Sequence, residues 1–299
     1  MRVVTSRAEM AAAGRHGCVL VPTMGALHAG HATLIELARA RAGACVGGTL
    51  PVVVSIFVNP SQFNEATDFD VYPRDLDADC AWCARLGVDV VFAPGVDVVY
   101  PPDEDVPVGE LPAVAKGPGL EDSFRPGHFA GVCRVVRRLI ALTGAAAAVF
   151  GEKDWQQLQV VRAMVEADRK RGGPDVEIVP AATVREAGGL AMSSRNRLLD
   201  AAGRRRAGAI SRAIRGAGAI RSPAQAERHM AGVLEAAGLE VEYAVVRDAE
   251  TLGEVRPGFP CRALVAVGVA VAGAGGGVVR LIDNRPWPAV GPAMETIAG

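Results

Sequence analysis

The apolar positions of this chain fall into short runs separated by stretches of helical spacing, and that rhythm holds for about the first 180 residues. Residues 18–21 (Cys-Val-Leu-Val), 50–58 (Leu-Pro-Val-Val-Val-Ser-Ile-Phe-Val), 88–92, 145–150 and 176–179 are brief and nearly continuous in apolar side chains. Such runs suit parallel strands covered on both faces. Between them, residues 32–41 place Leu34, Ile35, Leu37 and Ala38 at helical spacing, and 74–85, 129–142 and 153–167 also read as helices. Ser6-Arg7-Ala8-Glu9 fits a capping box that opens a first short helix. Residues 94–126, rich in Pro, Gly and acidic side chains, read as a long irregular connection with one short strand. The alternation predicts an α/β fold, a Rossmann-like doubly wound parallel sheet.

After Pro180 the pattern changes. A polar, Gly-containing stretch (185–196) precedes two Ala/Arg-rich helices at 201–217 and 223–237. Strand-like runs follow at 241–246, 264–271 and 278–282. The expected division is therefore a larger domain at 1–182 and a smaller α+β domain at 183–299. The uncharged run 263–279 falls short of the ~20 residues that a membrane-spanning helix requires. Its five glycines also make it a poor helix, so it reads as strand, turn, strand, and no membrane partner is expected.

Composition changes this picture little. A chain of 299 residues can bury roughly three quarters of its unfolded surface, so core size is no obstacle. With 32 basic against 33 acidic residues there is no basic excess to suggest a nucleic-acid partner. Six cysteines in a chain with no apolar signal at residues 1–10 read as reduced thiols of a cytoplasmic protein. Cys80-Ala-Trp-Cys83 lacks a second pair to complete a zinc site, so both thiols read as structural and no metal site is expected.

The chemistry concentrates at loops that leave the strands. Met24-Gly25-Ala26-Leu27-His28-Ala29-Gly30-His31 joins the strand at 18–21 to the following helix. A helix N-terminus with glycines offers backbone N–H groups and a positive dipole end to an anion, and imidazole nitrogens can donate to phosphate oxygens. Gly151-Glu152-Lys153-Asp154-Trp155-Gln156-Gln157 again leaves a strand and opens a helix, with a lysine suited to phosphate. In a doubly wound sheet such loops meet outside the carboxyl ends of the strands. His28, His31, Gln62 and the Gly151 loop are therefore expected to share one crevice.

The segment from Val21 to His31 resembles the nucleotide-binding signature of the pantothenate synthetases (pantoate–β-alanine ligases), and more distantly that of class I aminoacyl-tRNA synthetases and small nucleotidylyltransferases. Gly151 to Gln157 matches the same family, with Trp155 at its variable place. Met192-Ser193-Ser194-Arg195-Asn196 looks like its second ATP segment, without the lysines of the synthetase loop. Asn59-Pro60-Ser61-Gln62-Phe63, Tyr72-Pro73-Arg74, Arg125-Pro126-Gly127-His128-Phe129 and Leu281-Ile282-Asp283-Asn284 fit as well. The departures, at 41–49 and 273–277, touch no motif.

The resemblance implies ATP-dependent condensation of (R)-pantoate with β-alanine to pantothenate, AMP and pyrophosphate, through a pantoyl adenylate. It implies catalytic roles for His28, His31, Lys153 and Arg195. Residues 24–31 and 151–154, Val184, and 192–195 would contact ATP, and Gln62 and Gln157 would hold pantoate. Mg²⁺ is expected to arrive with ATP rather than in a protein cage. A homodimer is the family expectation, with the smaller domain closing over the site. A transferase of AMP onto a phosphate acceptor would want a basic acceptor pocket, which paired glutamines do not suggest. A tRNA synthetase is disfavoured by the missing lysines and anticodon domain.

Overall fold

The computed structural model describes residues 1–44, 48–62, 72–272 and 277–288. Cys45, Phe63, part of the 41–49 loop and most of the 273–277 turn lie outside the described residues. The chain divides into two compact units, Met1–Val184 and Arg185–Gly299.

The first unit runs β1 (Arg2–Val4), α1 (Arg7–Gly14), β2 (Cys18–Thr23), α2 (Ala29–Gly43), β3 (Val52–Ile56), α3 (Leu76–Arg85), β4 (Val90–Phe92), α4 (Val96–Val99), α5 (Glu121–Phe124), α6 (His128–Thr143), β5 (Ala145–Gly151), α7 (Trp155–Lys170) and β6 (Glu177–Ala181). Its sheet has the order β1-β4-β3-β2-β5-β6. Every strand pair is parallel, as the apolar runs predict. The chain leaves β2 toward β3 on one side and later returns to β5 on the other. The switch point, where ligands gather in such sheets, lies at the carboxyl end of β2.

One face of the sheet packs Val19, Val21, Val52, Val54, Val91, Ala147 and Val149 against Ile35, Ala38 and Ala42 of α2 and Cys83 of α3. Alternation along each strand aims those side chains at the two helices. Helices α6 and α7 lie against the strands as well, and α1 packs on α6; together they supply Met10, Leu139 and Met164 to the core. The capping box at α1 is present, with the Ser6 amide donating to Glu9 Oε2 at 3.1 Å and the Glu9 amide to Ser6 Oγ at 3.3 Å. Helix α3 starts at Leu76, because Asp75 accepts the Ala78 amide at 3.0 Å as its N-cap.

The connection 94–126 holds no strand. It forms α4, α5 and one 3₁₀ turn at Ala113–Ala115. Seven prolines between 94 and 126 remove ladder donors, and short helical turns tolerate them where a strand does not. Strand β1 escapes the sequence reading because it is three residues long with two of them exposed at the sheet's edge.

The second unit contains a 3₁₀ turn (Ser194–Leu198), α8 (Ala201–Ala217), α9 (Pro223–Ala236), β7 (Glu240–Asp248), β8 (Cys261–Val271) and β9 (Gly277–Trp287). Its strands form an antiparallel sheet of order β7-β8-β9. Ile210, Ile214, Met230 and Leu234 of the helices pack against Val265, Val267 and Val269 of β8. Within the uncharged run, residues 263–271 lie in β8 and 277–279 in β9. No helix among the described residues is long and apolar enough to cross a membrane.

Candidate active site

His28 is the N-cap of α2, and its Nδ1 accepts the Gly30 amide at 3.1 Å. His31, three residues on, returns the arrangement: its Nδ1 accepts the His28 amide at 3.3 Å. The two rings stand 4.2 Å apart between centroids. Because Nδ1 is the acceptor in each, a neutral ring carries its proton on Nε2. Two histidines are thus placed as a capping box at the switch point.

The backbone of this loop behaves differently from the sequence expectation of open N–H groups. The Gly25 amide donates to Thr23 Oγ1 at 3.2 Å. Those of Ala26 and Leu27 donate to the Asp79 carboxylate at 2.9 and 2.7 Å. With His28 and Gly30 held by the histidine rings, five amides between Gly25 and Gly30 are already used inside the protein. Gly25 (φ +79°) and Ala26 (φ +52°) turn the chain left-handed, which directs the amides toward α3. Gly25, Ala26 and Leu27 are buried, whereas Met24, His28, Gly30 and His31 are half-buried and Ala29 exposed.

Gln62 ends the 3₁₀ turn Pro60–Gln62 after β3. Its carbonyl accepts the Nδ1–H of His128 at 3.1 Å. His128 Nε2 in turn accepts from Arg125 Nη1 at 3.0 Å, so the ring is neutral with both nitrogens engaged. Burial, and then the Arg125 charge, lower the His128 pKa to about 4. Asn59, fully buried, adds a second hold: Oδ1 accepts from Ser61 Oγ (2.9 Å) and Tyr100 Oη (3.1 Å), while Nδ2 donates to the Gly131 carbonyl (3.2 Å). The Arg-Pro-Gly-His segment thus fixes the turn that carries Gln62. Its role is not legible from spacing alone.

At β5 the chain leaves through Gly151, Glu152 and Lys153. Helix α7 begins at Trp155, two residues later than expected, with Asp154 as its cap position. The Glu152 amide donates to the Ala181 carbonyl at 2.8 Å, so this turn is still tied to the sheet. Lys153 Nζ lies 3.6 Å from Asp154 Oδ1. The glutamine pair divides. Gln156, 3 % exposed, accepts the Glu121 amide (2.9 Å) and donates to the Val114 carbonyl (2.9 Å) and Asp122 (2.9 Å). Gln157 is half-buried, and its side-chain amide, like that of Gln62, has no protein hydrogen bond among the described residues.

Val184 is the last residue of the first unit and Arg185 the first of the second. Arg185 makes a bidentate pair with the buried Asp283 (2.6 and 2.9 Å), and its guanidinium also donates to the Gly189 carbonyl at 3.0 Å. Asn196 donates to the Ala191 carbonyl (3.0 Å) and Glu186 (2.9 Å). Between these anchors, Met192 to Arg195 are half-buried, with Ser193 Oγ accepting the Arg195 amide at 3.3 Å. The first unit therefore gathers His28, His31, Gln62, Lys153 and Gln157 at the carboxyl ends of β2, β3 and β5, and the second unit carries 192–195 on a braced turn. Asp79, Gln156 and Asp283 emerge only in three dimensions, since each acts on a partner remote in sequence.

No group of three or more His, Cys, Asp or Glu side chains that could hold a metal ion is found among the described residues. Cys18, Cys80, Cys83, Cys133 and Cys261 form no disulfide, and burial raises Cys18 and Cys83 to about 12.

A family model described as pantoate-β-alanine ligase matches residues 1–286. A pantothenate synthetase from Paracoccus denitrificans is 48 % identical over 270 residues, covering 89 % of this chain and 88 % of the relative. The crystal structure of pantothenate synthetase from Thermus thermophilus superposes with a TM-score of 0.82 at 39 % identity, covering 98 % of this chain and all of that one. A pantoate-β-alanine ligase structure from Francisella tularensis, complexed with β-γ ATP and β-alanine, has a TM-score of 0.76 at 28 % identity, covering 96 % of this chain and 97 % of that one.

Proposed function

The chain belongs to the pantoate–β-alanine ligase family, and from that premise we propose how its own residues carry out the family's condensation of pantoate with β-alanine, driven by ATP. A pantoate carboxylate oxygen attacks the α-phosphorus of ATP. The bond to the β-phosphate breaks, and pyrophosphate leaves with the electron pair. The neutral amine of β-alanine then attacks the acyl carbon of the pantoyl adenylate, forming the C–N bond and expelling AMP as the amine loses its proton.

The observation that carries this reading is the histidine capping box at the end of β2. With Nδ1 accepting a backbone amide in both rings, His28 and His31 are held at the start of α2, and we assign their Nε2 sides to the phosphates, where negative charge grows as pyrophosphate departs. Lys153 and Arg195 add positive charge for the outer phosphates, and Met24, Ala29, Gly30, Gly151, Val184, Met192, Ser193 and Ser194 complete the nucleotide contacts. Gln62 and Gln157 bond the hydroxyl and carboxylate groups of pantoate, and Gln62 also lies near β-alanine. The first unit holds ATP and pantoate. Asp79 is spent on loop amides, so the residues favour Mg²⁺ entering as part of the MgATP substrate. The protein works as a cytoplasmic homodimer, which sedimentation would show as twice the chain mass.

Isotope transfer tests the route. Pantoate labelled with ¹⁸O in its carboxylate should pass one labelled oxygen to AMP, and pyrophosphate should form from ATP and pantoate before β-alanine is added. Label in inorganic phosphate, with ADP as co-product, would overturn the adenylate route.

A further inference from the structure

We propose that Asp79 is a positioning residue for adenylation: its carboxylate holds the Gly25–Leu27 loop in the form that presents His28 and His31. The inference rests on the adenylate reading above.

The Asp79 carboxylate is 3 % exposed and reaches the loop from α3, more than fifty residues away in sequence. One oxygen accepts the Ala26 amide at 2.9 Å and the other the Leu27 amide at 2.7 Å. Those amides are aimed at α3 by two successive left-handed residues, Gly25 at φ +79° and Ala26 at φ +52°. Alanine rarely adopts that conformation, and it persists only where the surroundings enforce it. Charge-assisted bonds from a fixed carboxylate are a strong form of enforcement. Gly25 completes the fit, since a Cβ there would come within 2.7 Å of Asp79 Oδ2.

Two features separate this from ordinary packing. A buried carboxylate without a cation is costly, and no salt bridge to Asp79 forms among the described residues. It also places negative charge behind a loop that receives a polyphosphate, which works against nucleotide affinity. What it secures is geometry: with Ala26 and Leu27 tied down, the next residues enter α2 with His28 as cap and His31 behind it.

Asp79→Asn keeps the shape but can accept only at one side, and its NH₂ group confronts the other amide. Pyrophosphate release from ATP and pantoate, measured without β-alanine at saturating substrate, should slow by roughly 10²-fold, the cost of about 1 Å of misplacement. Attack of β-alanine on preformed pantoyl adenylate should stay within about threefold of wild type. Equal losses in both half-reactions, or no loss in either, would overturn the proposal. Hydrogen exchange on the unaltered protein gives a test that needs no variant. The Ala26 and Leu27 amides should be protected without nucleotide and gain nothing from ATP. Exchange at an open-loop rate until ATP is added would make them phosphate donors and sink the idea. If wild type releases no pyrophosphate before β-alanine, the adenylate reading fails instead, and the exchange result alone decides whether Asp79 holds the loop.

Discussion

His31 stands at the third position of α2 with its Nδ1 taken by the His28 amide, so replacing it removes both a backbone partner and a donor. His31→Ala should lower turnover by roughly 10²–10³, the scale of one lost transition-state donor, read as steady-state pyrophosphate release. His28 allows the two jobs to be separated. His28→Ala should lose both turnover and about 1 kcal/mol of helix capping, whereas His28→Asn restores a good cap and should recover Tm without recovering turnover. His128 gives a pH signature. Its folded pKa of about 4 lies below the usual 6.5, so the unfolded chain binds the extra proton first as pH falls. Stability should therefore decline as pH drops from about 6.5 toward 4, by at most ~3 kcal/mol from this group. Denaturant titrations across that window should show the decline, and His128→Asn should flatten part of it. The histidine and glutamine positions were legible in the sequence because they sit beside strand ends within recognisable segments. Asp79 was not, because nothing in Asp77-Ala78-Asp79-Cys80 reveals that one carboxylate turns inward to a loop near residue 26.

At the level of elements, α6 approaches closely the turn that carries Gln62. Gly131 lies where a Cβ would meet the Ser61 carbonyl carbon at 2.6 Å and the Gln62 amide at 3.1 Å. Two effects compete in Gly131→Ala. Alanine gains about 1 kcal/mol in a helix interior, but overpacking against backbone costs about 1–3 kcal/mol, and the backbone cannot rotate away as a side chain would. Overpacking should win, lowering Tm and raising KM for pantoate while KM for ATP changes little. Equal effects on both substrates would remove the turn from the acid side. The strands and long helices were readable because their apolar runs are long enough to show a period. The short helices within 94–126 were not, since four-residue turns such as α4 and α5 span barely one repeat and show no periodicity.

Across the whole molecule, each unit closes its own core, and the cysteines among the described residues serve those cores. Cys83 belongs to the face shared by α2 and α3, while Cys261 belongs to the second unit's core. With burial raising Cys18 and Cys83 to about 12 and Cys133 to about 11, these thiols stay protonated near neutral pH. Alkylation of the folded protein at pH 8 should mark half-buried Cys80 and spare these three until denaturant is added, as peptide mass mapping would show. Replacing Cys80 and Cys83 together by Ala should leave activity largely intact and bind no less zinc, at a packing cost of about 1 kcal/mol. Stoichiometric zinc lost in that variant would contradict a purely structural role. The two-part organisation was visible as a change of pattern near residue 180. The ion pair that braces the start of the second unit, Arg185 with Asp283, was not, because its members lie 98 residues apart.

The divided glutamine pair bears on redesign. Gln156 and Gln157 are chemically identical neighbours, yet the step of about 100° between adjacent helix positions assigns the first to bracing the 114–122 segment and leaves the second available to a ligand. An engineer seeking a different hydroxy acid should therefore vary position 157 and leave 156 untouched. Libraries that randomise both together would spend most of their members on chains whose wall has come loose, and selectivity would be hidden behind instability.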